Sequence, residues 1–195
     1  MPMAYPATFT FDPPEKVARW RPLVQWLLAI PHFIVGYILY IPASICWLIS
    51  WFAIVITGKL PQGLANFLCM ANRYQVRVMA YAGFLHAEYP PFDFTASAAD
   101  PGGQPVRVDF EPALTDRSRL TVFLRVIWAI PAMIFYYIIM VIAEFLWFLA
   151  FFVVLLTGKW PAGLLNFVQS AMRVSTRFTA YMTLLTDEYP PFETA

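Results

Sequence analysis

Charged residues and cysteines are scarce in this 195-residue chain, and each shortage excludes a class of function. Only 13% of the residues are charged, against about 25% in an average soluble domain. The 13 basic and 12 acidic residues leave a formal charge of +1, too little for a nucleic-acid-binding surface. Two cysteines provide neither a disulfide framework nor metal-ligand spacing. We therefore expect no nucleic-acid partner, no bound metal and no cofactor.

Apolar residues are abundant instead. They make up 60% of the chain, and aromatic residues make up 18%. A soluble domain of this length cannot bury so much apolar surface, so part of it must face lipid or another protein. The composition predicts an all-α integral membrane protein.

The chain contains an internal repeat with a spacing of 100 residues. Between residues 26 and 92 about 28 of 67 positions recur identically one hundred residues later. The repeated segments are Ala29-Ile30-Pro31, Thr57-Gly58-Lys59-x-Pro61-x-Gly63-Leu64, the pair Arg73 and Arg77, and Glu88-Tyr89-Pro90-Pro91-Phe92. We predict a tandem duplication, with repeat one at residues 1–92, a polar linker at 93–104 and repeat two at 105–195.

These repeated motifs resemble a bacterial family of small membrane proteins known only as a domain of unknown function. The motifs that carry the resemblance are Ala-Ile-Pro-His, Thr-Gly-Lys-x-Pro-x-Gly, Arg-x-x-x-Arg and Tyr-Pro-Pro-Phe, although repeat two has Ala132 in place of His32. The resemblance implies a place in the bacterial inner (cytoplasmic) membrane and a two-copy architecture. It implies no activity.

The apolar run from Leu23 to Ile56 allows two topologies. A helix of about 34 residues would reach roughly 50 Å, against a hydrocarbon core of about 30 Å. Either one long, kinked helix follows Pro31 near its start, or the run folds into a helical hairpin with its tip near Pro42-Ala43-Ser44. Glu144 favours the hairpin, because a carboxylate is unfavourable at the centre of a single span. The hairpin would also place the basic residues on one side of the membrane.

Two further elements are expected in each repeat. Leu64–Leu85 and Leu164–Leu185 have a narrow polar stripe, which predicts amphipathic helices at the membrane interface. Thr8–Phe11 and Val106–Phe110 alternate as strands do, and we expect these two segments to pair outside the membrane.

The candidate binding residues are mostly basic. The two arginines of each pair are one helical turn apart, so both can contact the same anionic lipid headgroup or a partner's carboxylate. A lysine after each Thr-Gly turn is a further candidate for such contact. The residues are Arg73, Arg77, Arg173, Arg177, Lys59 and Lys159. Glu144, alone or paired with Arg125, is a candidate intramembrane polar site. Trp47, Trp51 and Trp147 are expected to pack and to anchor the protein at the membrane interface.

No catalytic constellation is present in the sequence. We therefore expect a non-enzymatic structural protein that packs against lipid and serves as an accessory or scaffold subunit of a larger membrane complex. Two alternatives remain open, namely a small transporter or channel that uses Glu144 and a membrane-shaping protein.

Overall fold

A computed structural model describes residues 5–194; of the predicted repeats, residues 1–4 and 195 lie outside the described part. In chain order the elements are β1 (Ala7–Phe11), α1 (Arg21–Leu28), α2 (Ile30–Thr57), α3 (Gln62–Ala82), β2 (Val106–Phe110), α4 (Arg119–Phe123), α5 (Arg125–Trp128), α6 (Ile130–Thr157) and α7 (Ala162–Met182). The mostly helical fold with one short β pair agrees with the sequence-based prediction.

The predicted hairpin is wrong, because α2 and α6 are each one continuous helix of 28 residues. At about 1.5 Å per residue each is roughly 42 Å long. Pro42 lies inside α2, and apolar helices of this kind accommodate proline without breaking. The predicted alternative of a single long helix after Pro31 is the one observed, since Pro31 occupies the first turn of α2.

Each long helix ends at a glycine. Gly58 and Gly158 both have a φ of +70° and close their helices through the amide N–H, which donates to the carbonyls of Ile54 and Val154. A left-handed backbone suits glycine at this cap. The same turn starts α3 and α7, which pack back along α2 and α6.

The two predicted strands pair antiparallel, with Phe9 opposite Val108. Alternate residues of this ribbon, beginning with Ala7 and Val106, are buried. One face of the ribbon covers α3 and α7, and the long helices α2 and α6 lie against α3 and α7 as well. The main core lies between the ribbon and α3 and α7.

The repeats exchange equivalent contacts across their junction. The Val17 amide donates to the Gly158 carbonyl at 2.9 Å, and the Arg117 amide donates to the Gly58 carbonyl at 3.1 Å. Likewise α1 packs against α6, and α4 packs against α2. Each repeat therefore completes the packing of the other, as the two halves of a twofold arrangement do.

Candidate functional site

The outward faces of α2 and α6 form an extensive exposed apolar surface. Both helices are long and apolar enough to cross a membrane, and few of their residues are buried within the protein. Their exposed large side chains include Ile34, Tyr37, Ile38, Ile41, Ile45, Leu48, Ile134, Ile138, Val141, Phe145, Phe148 and Leu156. We call this surface the outer face. An apolar surface of this extent indicates contact with a membrane or with other proteins.

Glu144 lies at the middle of α6 and is exposed on the outer face. The equivalent residue of repeat one is Ser44, whose hydroxyl donates to the Tyr40 carbonyl of its own helix. The ion pairs found among residues 5–194 do not include Glu144. The predicted pairing with Arg125 is therefore wrong.

Arg125 lies inside the protein, 2% exposed, and pairs with Asp187. Its Nη1 donates to the carbonyls of Tyr181 and Thr186, each at 2.7 Å. Arg117, also buried, contacts the same carboxylate through Nη2 at 2.6 Å. Asp187 thus forms ion pairs with two buried guanidinium groups. Its burial acts to raise the pKa, but the hydrogen bond and charge of Arg117, with the charge of Arg125, outweigh burial and hold the pKa below its ordinary value.

Arg73 and Arg77 are also buried, contrary to their predicted place at a lipid surface. Nε of Arg73 donates to the Val108 carbonyl at 2.9 Å, and Nη2 of Arg77 donates to Asp100 at 2.7 Å. Asp100 lies in the segment predicted to be a linker. This pair therefore fastens α3 to β2 and to residues 93–104. Burial lowers the pKa of Arg73, and the charge of Asp100 offsets part of this effect.

Arg173 and Arg177 occupy the equivalent place in repeat two and are only half-buried. They line a cavity of about 280 Å³ beside β1, together with Tyr5 and Thr8. The structure thus brings each arginine pair against a strand of the ribbon. Only the first pair is held by Asp100.

Lys59 and Lys159 are exposed just beyond the ends of α2 and α6. In both copies the lysine amide donates to the preceding threonine hydroxyl, at 3.2 Å from Thr57 and 3.1 Å from Thr157. Their ammonium groups are therefore displayed at matching ends of the two long helices.

The three tryptophans donate to backbone carbonyls of the opposite repeat. Nε1 of Trp47 donates to Met182 at 2.8 Å, Nε1 of Trp147 donates to Gly83 at 2.7 Å, and Nε1 of Trp51 donates to Val122 at 3.2 Å. All three rings are partly buried. Their hydrogen bonds hold the repeats together.

His32 is fully buried in repeat one. Its Nδ1 lies 2.7 Å from the Tyr74 hydroxyl, and its ring stacks on Phe92 with the centroids 4.3 Å apart. Within residues 5–194 no group of three or more histidine, cysteine, aspartate or glutamate residues could hold a metal ion.

Sequence reasoning missed Asp100, Arg117 and Asp187. A signal for the second site was nonetheless present, because three neutral residues of repeat one, Val17, Gln25 and Ala87, are replaced by Arg117, Arg125 and Asp187 in repeat two. Charges that change together between two copies indicate a shared site. No comparable signal pointed to Asp100, which has no counterpart among the aligned residues.

Comparison with known proteins agrees with the duplication. Two segments, residues 19–93 and 119–193, match the family described as Domain of unknown function (DUF4389). The searches of curated proteins and of solved structures gave no match. The two matched segments begin and end at equivalent positions, 100 residues apart, and cover most of the chain. This protein belongs to the DUF4389 family and carries the family domain twice, in tandem.

Proposed function

We propose that this protein is a non-enzymatic integral membrane protein that serves as an accessory or scaffold subunit of a larger membrane complex. In this proposal α2 and α6 lie in the bilayer and their outer face contacts lipid and a partner subunit. The extent of exposed apolar surface on both helices supports the membrane location. If the protein were in water instead, a partner would have to cover this surface along the whole length of both helices.

Glu144 is the observation that carries the partner proposal. A carboxylate at the middle of an apolar span is unfavourable by about 2.5–3.5 kcal/mol on insertion scales unless it is paired. Glu144 points outward from α6, so its counterpart belongs to another molecule. We propose a helix of a partner subunit that presents a basic or hydrogen-bond-donating side chain at the depth of Glu144.

Basic residues at the membrane surface complete the proposal. Lys59 and Lys159 are exposed at the ends of the long helices, where their ammonium groups reach anionic headgroups. Arg173 and Arg177, half-buried around a small cavity, are the arginine pair that we retain as a headgroup-binding candidate. Arg73 and Arg77 are excluded from this role by their internal partners.

The transporter alternative receives less support. A transport pathway needs polar side chains on the facing sides of its helices, near the midplane of the bilayer. Glu144 lies on the outer face, away from the contact between α6 and α7. Its place suits an interface better than a pathway.

The experiment compares Glu144→Gln with wild type after extraction of the native membrane in mild detergent. We expect both proteins to resist an alkaline carbonate wash, and we expect Glu144→Gln to retain its partner at least about tenfold less well in native mass spectrometry. Glu144→Asp should restore retention. Ser44→Ala, the matched position of α2, is the control and should change nothing. Equal retention by wild type and Glu144→Gln would contradict the subunit proposal, and release by carbonate would contradict membrane insertion.

A further inference from the structure

A groove between α2 and α3 has a volume of about 490 Å³. Its lining includes Phe33, Gly36, Tyr37, Tyr40, Asn72 and Gln75, and we call it the α2–α3 groove. Its volume falls within the range of sites that bind small molecules. Tyr37 belongs both to this lining and to the outer face, whereas Glu144 lies on α6, outside the groove.

The α2–α3 groove exists because α2 has a glycine where α6 has a tyrosine. A Cβ on Gly36 would already lie 3.1 Å from Oε1 of Gln75. In repeat two, Tyr136 occupies the matching position and stacks on Phe178, with ring centroids 4.5 Å apart and planes 14° from parallel. The side chain of Tyr136 therefore fills in repeat two the space that Gly36 leaves open in repeat one.

The lining of the α2–α3 groove is mostly apolar, with a few polar side chains and no charged residue. Asn72, Tyr74 and Gln75 are replaced by Met172, Val174 and Ser175 in repeat two, so only repeat one has hydrogen-bonding groups at all three positions. The amide nitrogen of Asn72 donates to the Thr183 hydroxyl at 2.9 Å, which leaves its carbonyl oxygen as an acceptor. A lining without charge disfavours phosphate and ammonium groups, because neither would be neutralised. Tyrosine rings provide stacking surfaces for a flat ligand.

His32 determines how the Tyr74 hydroxyl can be used. Nε2 of His32 is buried with no hydrogen-bond partner among the described residues. Buried hydrogen-bond donors without a partner are rarer than buried acceptors without a partner. The favoured tautomer of His32 therefore leaves Nε2 as an acceptor and has its proton on Nδ1. His32 then donates to the Tyr74 oxygen across their 2.7 Å contact, and the Tyr74 hydroxyl keeps its own hydrogen for another acceptor. Ala132 and Val174 replace this pair in repeat two.

Access to the α2–α3 groove is from the outer face. Tyr37 and Tyr40, both in its lining, are about 70% exposed. Phe33 and Ile41, both apolar and exposed, lie one turn before and one turn after Tyr37 on α2. A ligand with an apolar tail could place its head in the groove and its tail along this side of the helix. This step rests on the proposed membrane location.

We propose that the α2–α3 groove binds the head group of a lipid-soluble quinone, with Tyr74 and Gln75 donating to its carbonyl oxygens. A quinone ring is flat and uncharged and carries two acceptors, which matches the tyrosine rings, the neutral lining and the available donors. His32 is a positioning residue, because it acts through Tyr74. Repeat two is expected to bind no quinone.

The test uses the full chain, purified into nanodiscs of phosphatidylcholine, and photolabelling by an azido derivative of decylubiquinone. In wild type we expect label on α3 near residues 72–75, none on α7 near residues 172–175, and displacement by unmodified decylubiquinone. Gly36→Tyr, which introduces the repeat-two residue, should weaken quinone binding by at least about tenfold. His32→Ala should weaken it by about fivefold, since it disturbs a single hydrogen bond.

Two variants serve as controls. Tyr136→Gly opens the matching space in repeat two without its polar lining and should gain no label. Gln75→Ser, a repeat-two residue of smaller size, tests the groove even where Gly36→Tyr fails to fold, and it should also lose label. Equal labelling of α3 and α7, labelling unchanged by both Gly36→Tyr and Gln75→Ser, or displacement by phosphatidylglycerol in place of decylubiquinone would overturn the quinone proposal. The carbonate wash is repeated on the membranes from which each protein is purified. If the wild-type protein resists the wash but takes up no quinone label, the groove proposal alone is contradicted.

Discussion

The two repeats make the same pair of hydrogen bonds with different chemistry. In repeat one, the amide nitrogen of Gln25 donates to the carbonyls of Tyr81 and His86 at 2.7 and 2.6 Å. In repeat two, Arg125 donates to the carbonyls of Tyr181 and Thr186, each at 2.7 Å. The geometry of this contact is fixed by the backbone at the end of α3 or α7, and a neutral donor is sufficient for it.

The arginine that makes this contact in repeat two needs additional partners. Arg125 carries a positive charge into the protein, where Asp187 forms ion pairs with both Arg125 and Arg117. The equivalent residues of repeat one, Val17 and Ala87, are neutral and form no ion pair. A buried ion pair adds little net stability over a well-packed neutral set, but removal of one partner is severely destabilising. The comparison therefore predicts that repeat two is sensitive to single substitutions where repeat one is not.

The largest effect is expected from Asp187→Ala. The substitution leaves the buried Arg117 and Arg125 without a counter-charge, and we expect the free energy of unfolding to fall by about 3–5 kcal/mol. Chemical denaturation of the detergent-solubilised protein measures this change. The triple variant Arg117→Val, Arg125→Gln, Asp187→Ala, which copies repeat one, should recover most of the loss. A triple variant as unstable as Asp187→Ala would show that the repeats are not interchangeable here.

A second difference between the repeats predicts sensitivity to acid. Burial lowers the pKa of His86 from 6.5 to about 4, and the equivalent residue of repeat two is Thr186. Because the unfolded chain binds the proton more readily, stability falls as the pH decreases from about 6.5 to about 4, by up to about 3 kcal/mol.

Unfolding measured between pH 7 and pH 4 checks this prediction. His86→Thr, which copies repeat two, should remove this part of the pH dependence and leave stability at pH 7 nearly unchanged. Thr186→Ser is the matched control and should keep the wild-type profile. An identical profile for wild type and His86→Thr would place the acid sensitivity elsewhere.

An intermediate effect is expected from Gly83→Thr. A Cβ at Gly83 would overlap the indole ring of Trp147, whereas repeat two accommodates Thr183, whose hydroxyl accepts a hydrogen bond from Asn72. We expect a loss of about 1–3 kcal/mol from overpacking, together with a change in tryptophan fluorescence as the ring of Trp147 moves. The reverse substitution, Thr183→Gly, should leave Trp147 undisturbed. Unchanged stability in Gly83→Thr would mean that the junction between repeats is loosely packed.

The smallest effect is expected where the repeats agree. Gly63 and Gly163 lie in the first turns of α3 and α7, and a Cβ at either position would meet nothing within 4 Å. Alanine at each should stabilise the protein by about 0.5–1 kcal/mol, because it restricts the unfolded chain and favours helix. Thermal unfolding of the two single variants should give equal increments. Unequal increments would reveal a difference between the repeats that the structure does not contain.

Features that depend on local sequence were predicted correctly. The two strands β1 and β2 follow from the alternation of residue types at short spacing. The hairpin prediction failed because it rested on the position of Glu144 and on the placement of the basic residues on one side of the membrane. A carboxylate avoids the unfavourable free energy of lipid if a hairpin turn places it at the membrane surface, or if a partner protein pairs with it. The sequence of one chain does not distinguish these two arrangements.

Burial of the first arginine pair could not be predicted for a different reason. The spacing of Arg73 and Arg77 on α3 shows that both side chains share one face of the helix. It does not show whether that face meets water or packs against another element. The acceptors are mainly backbone carbonyls of β2 and of residues 97–98. Carbonyl groups are present at every residue, so no sequence pattern marks them.

The reciprocal contacts at the junction pair Phe9 with Val108 and bond each repeat to the glycine that ends the long helix of the other. They have a consequence for a chain that contains only one repeat. A chain with one copy of this repeat would lack half of the ribbon and half of the packing, and the same contacts would have to be made by a second, identical chain. Such contacts define a closed, isologous homodimer. The present protein then corresponds to that dimer after fusion of its two subunits into one chain. In one chain the two halves need not be identical, and here equivalent positions hold Gln25 and Arg125.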